Sequence, residues 1–236
     1  MILRRKKNWK SLELEQYDSG YILTIDGVAL KTPQKKICII DNLFIAKEMH
    51  KEWAGLHHEI NYQKMPFTRT SFITLDRSEN ENVELKKKIV GYGMSDLFCY
   101  WAERGSDLED IQAKRWGPLI EWVQIELRST LRITHSLMPI KQSIGVERGW
   151  IKLLEPVQTF ALTALGELVA LSGSLIIGLG LQKEKISPEN AWQLIRIDEE
   201  WQRDKWGRLD EHKKEDRINK AAFMHSCRVL KLVKSQ

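Results

Sequence analysis

The sequence predicts an α+β fold: a small β-rich N-terminal domain over residues 1–80, a hairpin plus a helix, followed by a larger all-α domain over 81–236. Three observations carry this. Asp26-Gly27, a strong two-residue hairpin turn, separates two runs of β-formers. The apolar pattern changes from period two to helical near Thr68. The run 160–181 holds a single charge, Glu167, and belongs inside a helical core.

In chain order, residues 21–25 and 28–31 are the hairpin strands, Thr32-Pro33 ends the second, and 37–40 offers a third. Asp41 reads as the N-cap of an amphipathic helix reaching about Leu56, because Ile45, Met49 and Trp53 recur four apart. Residues 59–66 connect, with room for one more short strand. From Thr68 a helical pair follows, through about Gly91, with Lys86 to Lys88 on a solvated face. Residues 108–127 form a long helix that Trp116-Gly117-Pro118 should kink or restart, since proline lacks the backbone donor. Residues 137–145 are loop-like, and helix resumes at Trp150, with Pro156 suited to a first turn before the apolar run. Ser187-Pro188-Glu189 combines a capping hydroxyl, a first-turn proline and a carboxylate at the positive end of the helix dipole. The helix it starts should carry DEEWQRDKWG, residues 198–207, with Gly207 ending it before a last amphipathic helix over 210–232.

Composition narrows the function. The net charge of +5 comes from 37 basic and 32 acidic residues, but five of the basic ones lie in the first ten positions. Without those five the body is balanced at 32 against 32, so the chain presents a basic start and no general basic face for nucleic acid. Cys38, Cys99 and Cys227 are odd in number and far apart, which suits reduced buried thiols in a cytoplasmic protein. The basic start has no apolar segment after it and lacks the form of a secretory or organelle leader. Residues 160–181 are long enough to span a bilayer, but Glu167 at mid-run, the glycines and the missing aromatic belt argue for a buried helix or helical pair. No membrane insertion is expected.

Catalytic signatures are missing. No GxxxxGK[ST] loop occurs, and the glycines of 173–180 read as small residues allowing close helix packing. His50, His57 and His58 have no HExxH or Cys/His companions, so no metal site is expected. Cys99 sits between apolar neighbours without an adjacent base and reads as a small buried hydrophobe. No catalytic residue and no cofactor is assigned.

The stretch 198–207 stands out. Trp201 continues the inward face of Leu194 and Ile197, whereas Trp206, five residues on, is displaced around the axis. Glu199 and Arg203 form a favourable i, i+4 pair, and Glu200 and Asp204 a repulsive one. The carboxylates could serve acid/base catalysis in a small hydrolase or transferase, or form a solvated face, or meet another protein.

The chain resembles the ATP-twelve family of assembly chaperones from about Tyr21 to about Leu232. Its landmarks occur in order: Asp26-Gly27 with Thr32-Pro33; Glu52-Trp53; Met65-Pro66-Phe67-Thr68-Arg69; Thr74-Leu75-Asp76; Tyr92 with Asp96-Leu97-Phe98-Cys99-Tyr100; Trp116, Pro118 and Trp122; Leu171-Ser172-Gly173-Ser174; and Asp198-Glu199-Glu200-Trp201-Gln202 with Trp206-Gly207. The resemblance implies a non-enzymatic role: holding the free α subunit of the F-type ATP synthase, whose exposed interface would otherwise self-associate, and handing it on for assembly of the catalytic head. It also implies a bacterial, cytoplasmic protein, monomeric when free. The family's important acid lies just beyond the Trp-Gly pair, where Asp210 and Glu211 are both candidates. The expected partner-binding set is therefore Glu199, Glu200, Asp210 and Glu211, with Trp201, Trp206 and Gly207 as structural anchors. One departure is Trp101, where the family more often has a charged residue. The rivals remain a hydrolase or transferase using the acids of residues 198–210, and an RNA-associated protein docking through the basic start.

Overall fold

The computed structural model describes residues 8–136, 138–207 and 212–235. It opens on a three-stranded antiparallel meander, β1 (Leu12–Tyr17), β2 (Gly20–Ile25) and β3 (Val28–Ala29), in the order β1-β2-β3. The β1–β2 register sets Leu14 opposite Leu23. Asp26 and Gly27 both take positive φ, 48° and 77°, the geometry of a primed hairpin turn. The Asp26 carboxylate accepts from the Lys10 and Ser11 amides at 2.9 Å and so ties down the start of β1.

The described helices follow: α1 (Leu43–Ala54), α2 (Pro66–Asp76), α3 (Glu79–Met94), α4 (Asp107–Leu127), α5 (Ile144–Leu154), α6 (Thr159–Ser172), α7 (Leu175–Gln182), α8 (Pro188–Leu194), α9 (Ile197–Trp206) and α10 (His212–Lys234). The α+β class is as expected. Helix α1 covers the sheet through Ile45, Met49 and Trp53, all buried. A continuous apolar core then runs from Leu23 through α6 and α7 to Leu230. Helix α2, on the N-terminal side of the boundary expected at residue 80, packs on α6.

The apolar run 160–181 is the hub. It splits at Gly173 (φ 67°) into α6 and α7, and it is enclosed by α2, α3 and α10. Its one charge, Glu167, accepts a hydrogen bond from Ser226 Oγ of α10 at 2.9 Å. A Cβ on Gly178 would lie 2.5 Å from Leu165 Cδ1, so this glycine is what lets α7 lie against α6. No described helix is long and apolar enough to cross a membrane.

The sequence landmarks prove to be halves of long-range locks. Met65, ahead of α2, offers no capping side chain. Instead Glu52 of α1 accepts from the Phe67 and Thr68 amides at 2.7 and 2.8 Å, while Trp53 Nε1 donates to Thr68 Oγ1 at 3.0 Å. Thr32 donates to Asp76 at the end of α2. Asp96, fully buried, accepts from the Phe98 amide at 3.1 Å and from the Ile176 amide in the first turn of α7 at 3.0 Å. Burial pushes its carboxyl up to about 6 despite those bonds. Phe98 stacks on Trp116 at 4.6 Å, and Trp116 Nε1 donates to Leu194 O.

Several expectations need correction. Strand β1 was not foreseen. Residues 37–40 make only isolated bridges, Lys31 to Ile37 and Tyr21 to Ile40. The cap of α1 is Asn42, whose side chain accepts from Ile45, and not Asp41. The 59–66 connector contains a 3-10 turn, Tyr62–Lys64. Helix α4 runs unbroken through Pro118, because that residue and Lys114, whose carbonyl loses its donor, are exposed to water. Helix α5 starts at Ile144, capped by Ser143, so Pro156 lies in the turn before α6. The helix begun at Ser187 stops at Leu194, whose carbonyl accepts from the Trp116 indole. Residues 198–207 belong to the separate helix α9 and the glycine after it.

All three cysteines are reduced and buried. Burial pushes the thiols of Cys38 and Cys227 up to about 12 and that of Cys99 higher still, which makes them inert fillers of the core.

Candidate partner-binding site on helix α9

Helix α9 is fastened on its inner side and open on its outer side. Ile197 is buried, and Asp198 accepts from Gln112 Nε2 of α4 at 2.7 Å. Gln112 also accepts from the Ala102 amide at 2.7 Å, so one buried amide positions both the loop before α4 and the start of α9. Burial raises the Asp198 carboxyl, with the Gln112 bond opposing.

The junction with α10 is ionic. Arg196, just ahead of α9, contacts Asp216 of α10 at 2.9 Å and Glu199 at 2.7 Å. Arg203 reaches Asp216 at 2.7 Å and Glu199 at 3.5 Å. Desolvation would push Asp216 up, but hydrogen bonds from Arg203 and Arg196 hold it below the ordinary carboxylate value. The Arg196 guanidinium lies over the Trp192 ring, 5.4 Å from its centroid. Two carboxylates and two guanidiniums thus line a groove of about 490 Å³ between α9 and α10, together with Trp206 and Gly207.

The expected site residues divide. Glu199 is exposed but already engaged by both arginines. Glu200 is exposed and, like Asp204 one turn later, makes no ion pair among the described residues. Asp210 and Glu211 lie outside the described residues. Gly207 ends α9 with φ 87°, donating its amide to Arg203 O at 2.9 Å. Trp201 is half-buried, and Trp206 is 76% exposed, so Trp206 does not anchor the helix. Its ring meets Trp201 edge to face at 6.0 Å, and Lys205 lies over Trp201 at 5.3 Å. The five-residue spacing put Trp206 off the inner face, and here that face is the one against the protein.

Sequence reasoning missed Arg196, Gln112 and Asp216. Glu199 and Arg203 were visible as an i, i+4 pair, but the two residues that complete the network come from outside α9. The only hint of Arg196 was its place between the inward residues Leu194 and Ile197. The one α9 carboxyl with a raised pKa, Asp198, faces α4 and not the groove. Among the described residues no group of three or more His, Cys, Asp or Glu side chains is placed to hold a metal.

Comparison with known proteins agrees with this architecture. The family model of the ATP12 chaperone protein matches residues 6–124. The crystal structure of Atp12 from Paracoccus denitrificans, and that of a mutant of the same protein, superpose with a TM-score of 0.90 at 32% sequence identity. The match covers 96% of this chain and 97% of theirs. A protein of Agrobacterium tumefaciens shares the fold, with a TM-score of 0.91 at 24% identity, covering 98% of this chain and 87% of its own. The chain belongs to the ATP12 chaperone protein family.

Proposed function

We propose that this protein is a non-enzymatic assembly chaperone that binds the free α subunit of the F-type ATP synthase through the outer face of α9. On this reading it acts in the bacterial cytoplasm as a monomer, shields the α subunit from self-association and gives it up to the assembling head. Family membership supports the chaperone role, and the resemblance in the sequence supports the α subunit as client. The observation that supports the site is the polarity of α9: Arg196, Gln112 and Asp216 hold it to the body, while Glu200 and Asp204 on one side, and the ring of Trp206 at the groove on another, are exposed. Exposed aromatic rings are enriched in interaction hot spots, and exposed carboxylates set register and partner choice. Asp210 and Glu211, which follow Gly207 in the sequence after Arg208 and Leu209, are proposed as further acids that meet the client.

The test is capture of separately purified subunits. The immobilised chaperone should retain the α subunit and not β, and adding β should release α. Equal retention of both subunits, or of neither, would refute the reading.

A further inference from the structure

We infer that a second surface, lined by none of the residues of α9, docks an acidic protein segment carrying apolar anchors. Two adjoining grooves meet at the turn between α7 and α8. One, of about 700 Å³, runs between that turn and α10 over a floor that includes Leu181, Met224 and Leu230. The other, of about 430 Å³, runs between the turn and α4 over Leu119, Trp122 and Leu194. Lys185 and Ile186 belong to both and form the ridge between them.

The rim is strongly cationic. Together the two grooves are lined by six lysines and arginines against two carboxylates, Glu184 and Glu189. Some of this charge is spent internally: Lys234 pairs with Glu184 at 3.0 Å, and Arg228 with Glu48 at 2.7 Å. Lys114, Arg115, Lys185 and Lys231 are exposed and make no ion pair among the described residues. Four free cations around an apolar floor fit a segment that is apolar on one side and acidic on the other. The apolar floor distinguishes this surface from a nucleic-acid track, which needs cations spaced along a polar backbone. Opposite charge across an interface sets register and speeds encounter, so a client held at the acidic α9 could be oriented by this basic face.

This inference does not depend on the α subunit being the client. The probe is a synthetic amphipathic peptide with leucine at positions i, i+3, i+4 and i+7 and glutamate elsewhere. Two controls accompany it: the same peptide with lysine for glutamate, and a single-stranded oligonucleotide of equal charge. The acidic peptide should bind and protect backbone amides of residues 181–189 and 224–234 from hydrogen exchange. The double variant Lys185→Glu, Lys231→Glu should bind it at least about tenfold more weakly while melting like the parent, and the corresponding arginine variant should retain binding. Absence of binding, protection elsewhere, unchanged affinity after charge reversal, or equal affinity for the oligonucleotide would each overturn the proposal. A chain that takes the peptide here yet ignores the α subunit would refute the preceding reading and leave this one standing.

Discussion

Arg196 and Asp216 lie 2.9 Å apart across the junction of α9 and α10, the arginine side chain only 9% exposed. This contact, with Glu199 and Arg203 beside it, sets how the acidic helix stands on the body. Removing the buried cation leaves two carboxylates for one guanidinium, that of Arg203, whereas removing Asp216 leaves one carboxylate for two cations. Arg196→Met should cost about 2 kcal/mol in urea unfolding, below the cost of breaking a fully buried pair because Asp216 is partly solvated. Asp216→Asn should cost less. Equal stabilities for both variants and the parent would mean that the network is ornamental.

The outer face of α9 should separate binding from stability. Glu200→Lys and Asp204→Lys should melt within about 0.5 kcal/mol of the parent, as exposed substitutions do, and lose about 2 kcal/mol of affinity for the α subunit. Trp206→Ala should behave the same way. Trp201→Ala should lower stability by about 1–2 kcal/mol, well short of the loss for a fully buried ring. Glu199→Lys should damage both properties, because its carboxylate serves the ionic base. Titration calorimetry alongside thermal melts reads the two effects apart.

Glu52→Ala should destabilise more than its place on a half-solvated helix face suggests. It deprives the Phe67 and Thr68 amides and the Thr68 hydroxyl of their common acceptor, a loss of about 2 kcal/mol. Glu52→Gln, which keeps one acceptor oxygen, should lose about half as much. Denaturant unfolding of the two variants provides the comparison.

Acid should weaken the fold through His225. Burial, reinforced by Arg69 and Arg228, lowers this imidazole to about 4, and it sits 2.9 Å from Thr70 Oγ1 and edge-on to Phe67. As pH falls below the unfolded value of 6.5, the unfolded chain takes up a proton that the folded chain refuses. Stability therefore declines between about 6.5 and about 4, by on the order of 3 kcal/mol at full extent. Asp96, raised to about 6 by burial, has the opposite slope, gaining stability as pH falls through that range. The measurement is thus the difference between the parent and His225→Gln in unfolding midpoints at pH 7 and pH 5. The parent should lose more than the variant on acidification.

The legible parts of this fold were those written in adjacent residues. Asp26-Gly27 predicts its turn because both positions need positive φ, and Ser187-Pro188 predicts a helix start because cap and first turn are neighbours in sequence. The apolar run 160–181 could only be buried. What escaped was decided across the chain. The unbroken α4 depends on Pro118 facing water, and the end of α8 at Leu194 meets a tryptophan indole arriving from α4. At the site, the charge pattern of α9 was readable, but which of its acids are free was not. Glu199 is neutralised by Arg196 and Asp216 is the counterion of both arginines, and neither relationship has a local signature.

The closure of α10 over α1 bears on how the chain is made. Asn42, the cap of α1, also donates through Nδ2 to Leu232 O at 3.1 Å, and Arg228 reaches Glu48 across the same seam. Among the described elements α10 leaves the ribosome last, yet it supplies Phe223, Val229 and Leu230 to the core and packs on α6 at its centre. Until it arrives, the face of α6 that meets α10 has no cover, and translation at about 5–20 residues per second leaves it bare for seconds. A member of a chaperone family must therefore pass through its own unshielded interval. Slowed translation ahead of residue 212 should lengthen that interval and raise the aggregated fraction of newly made chains.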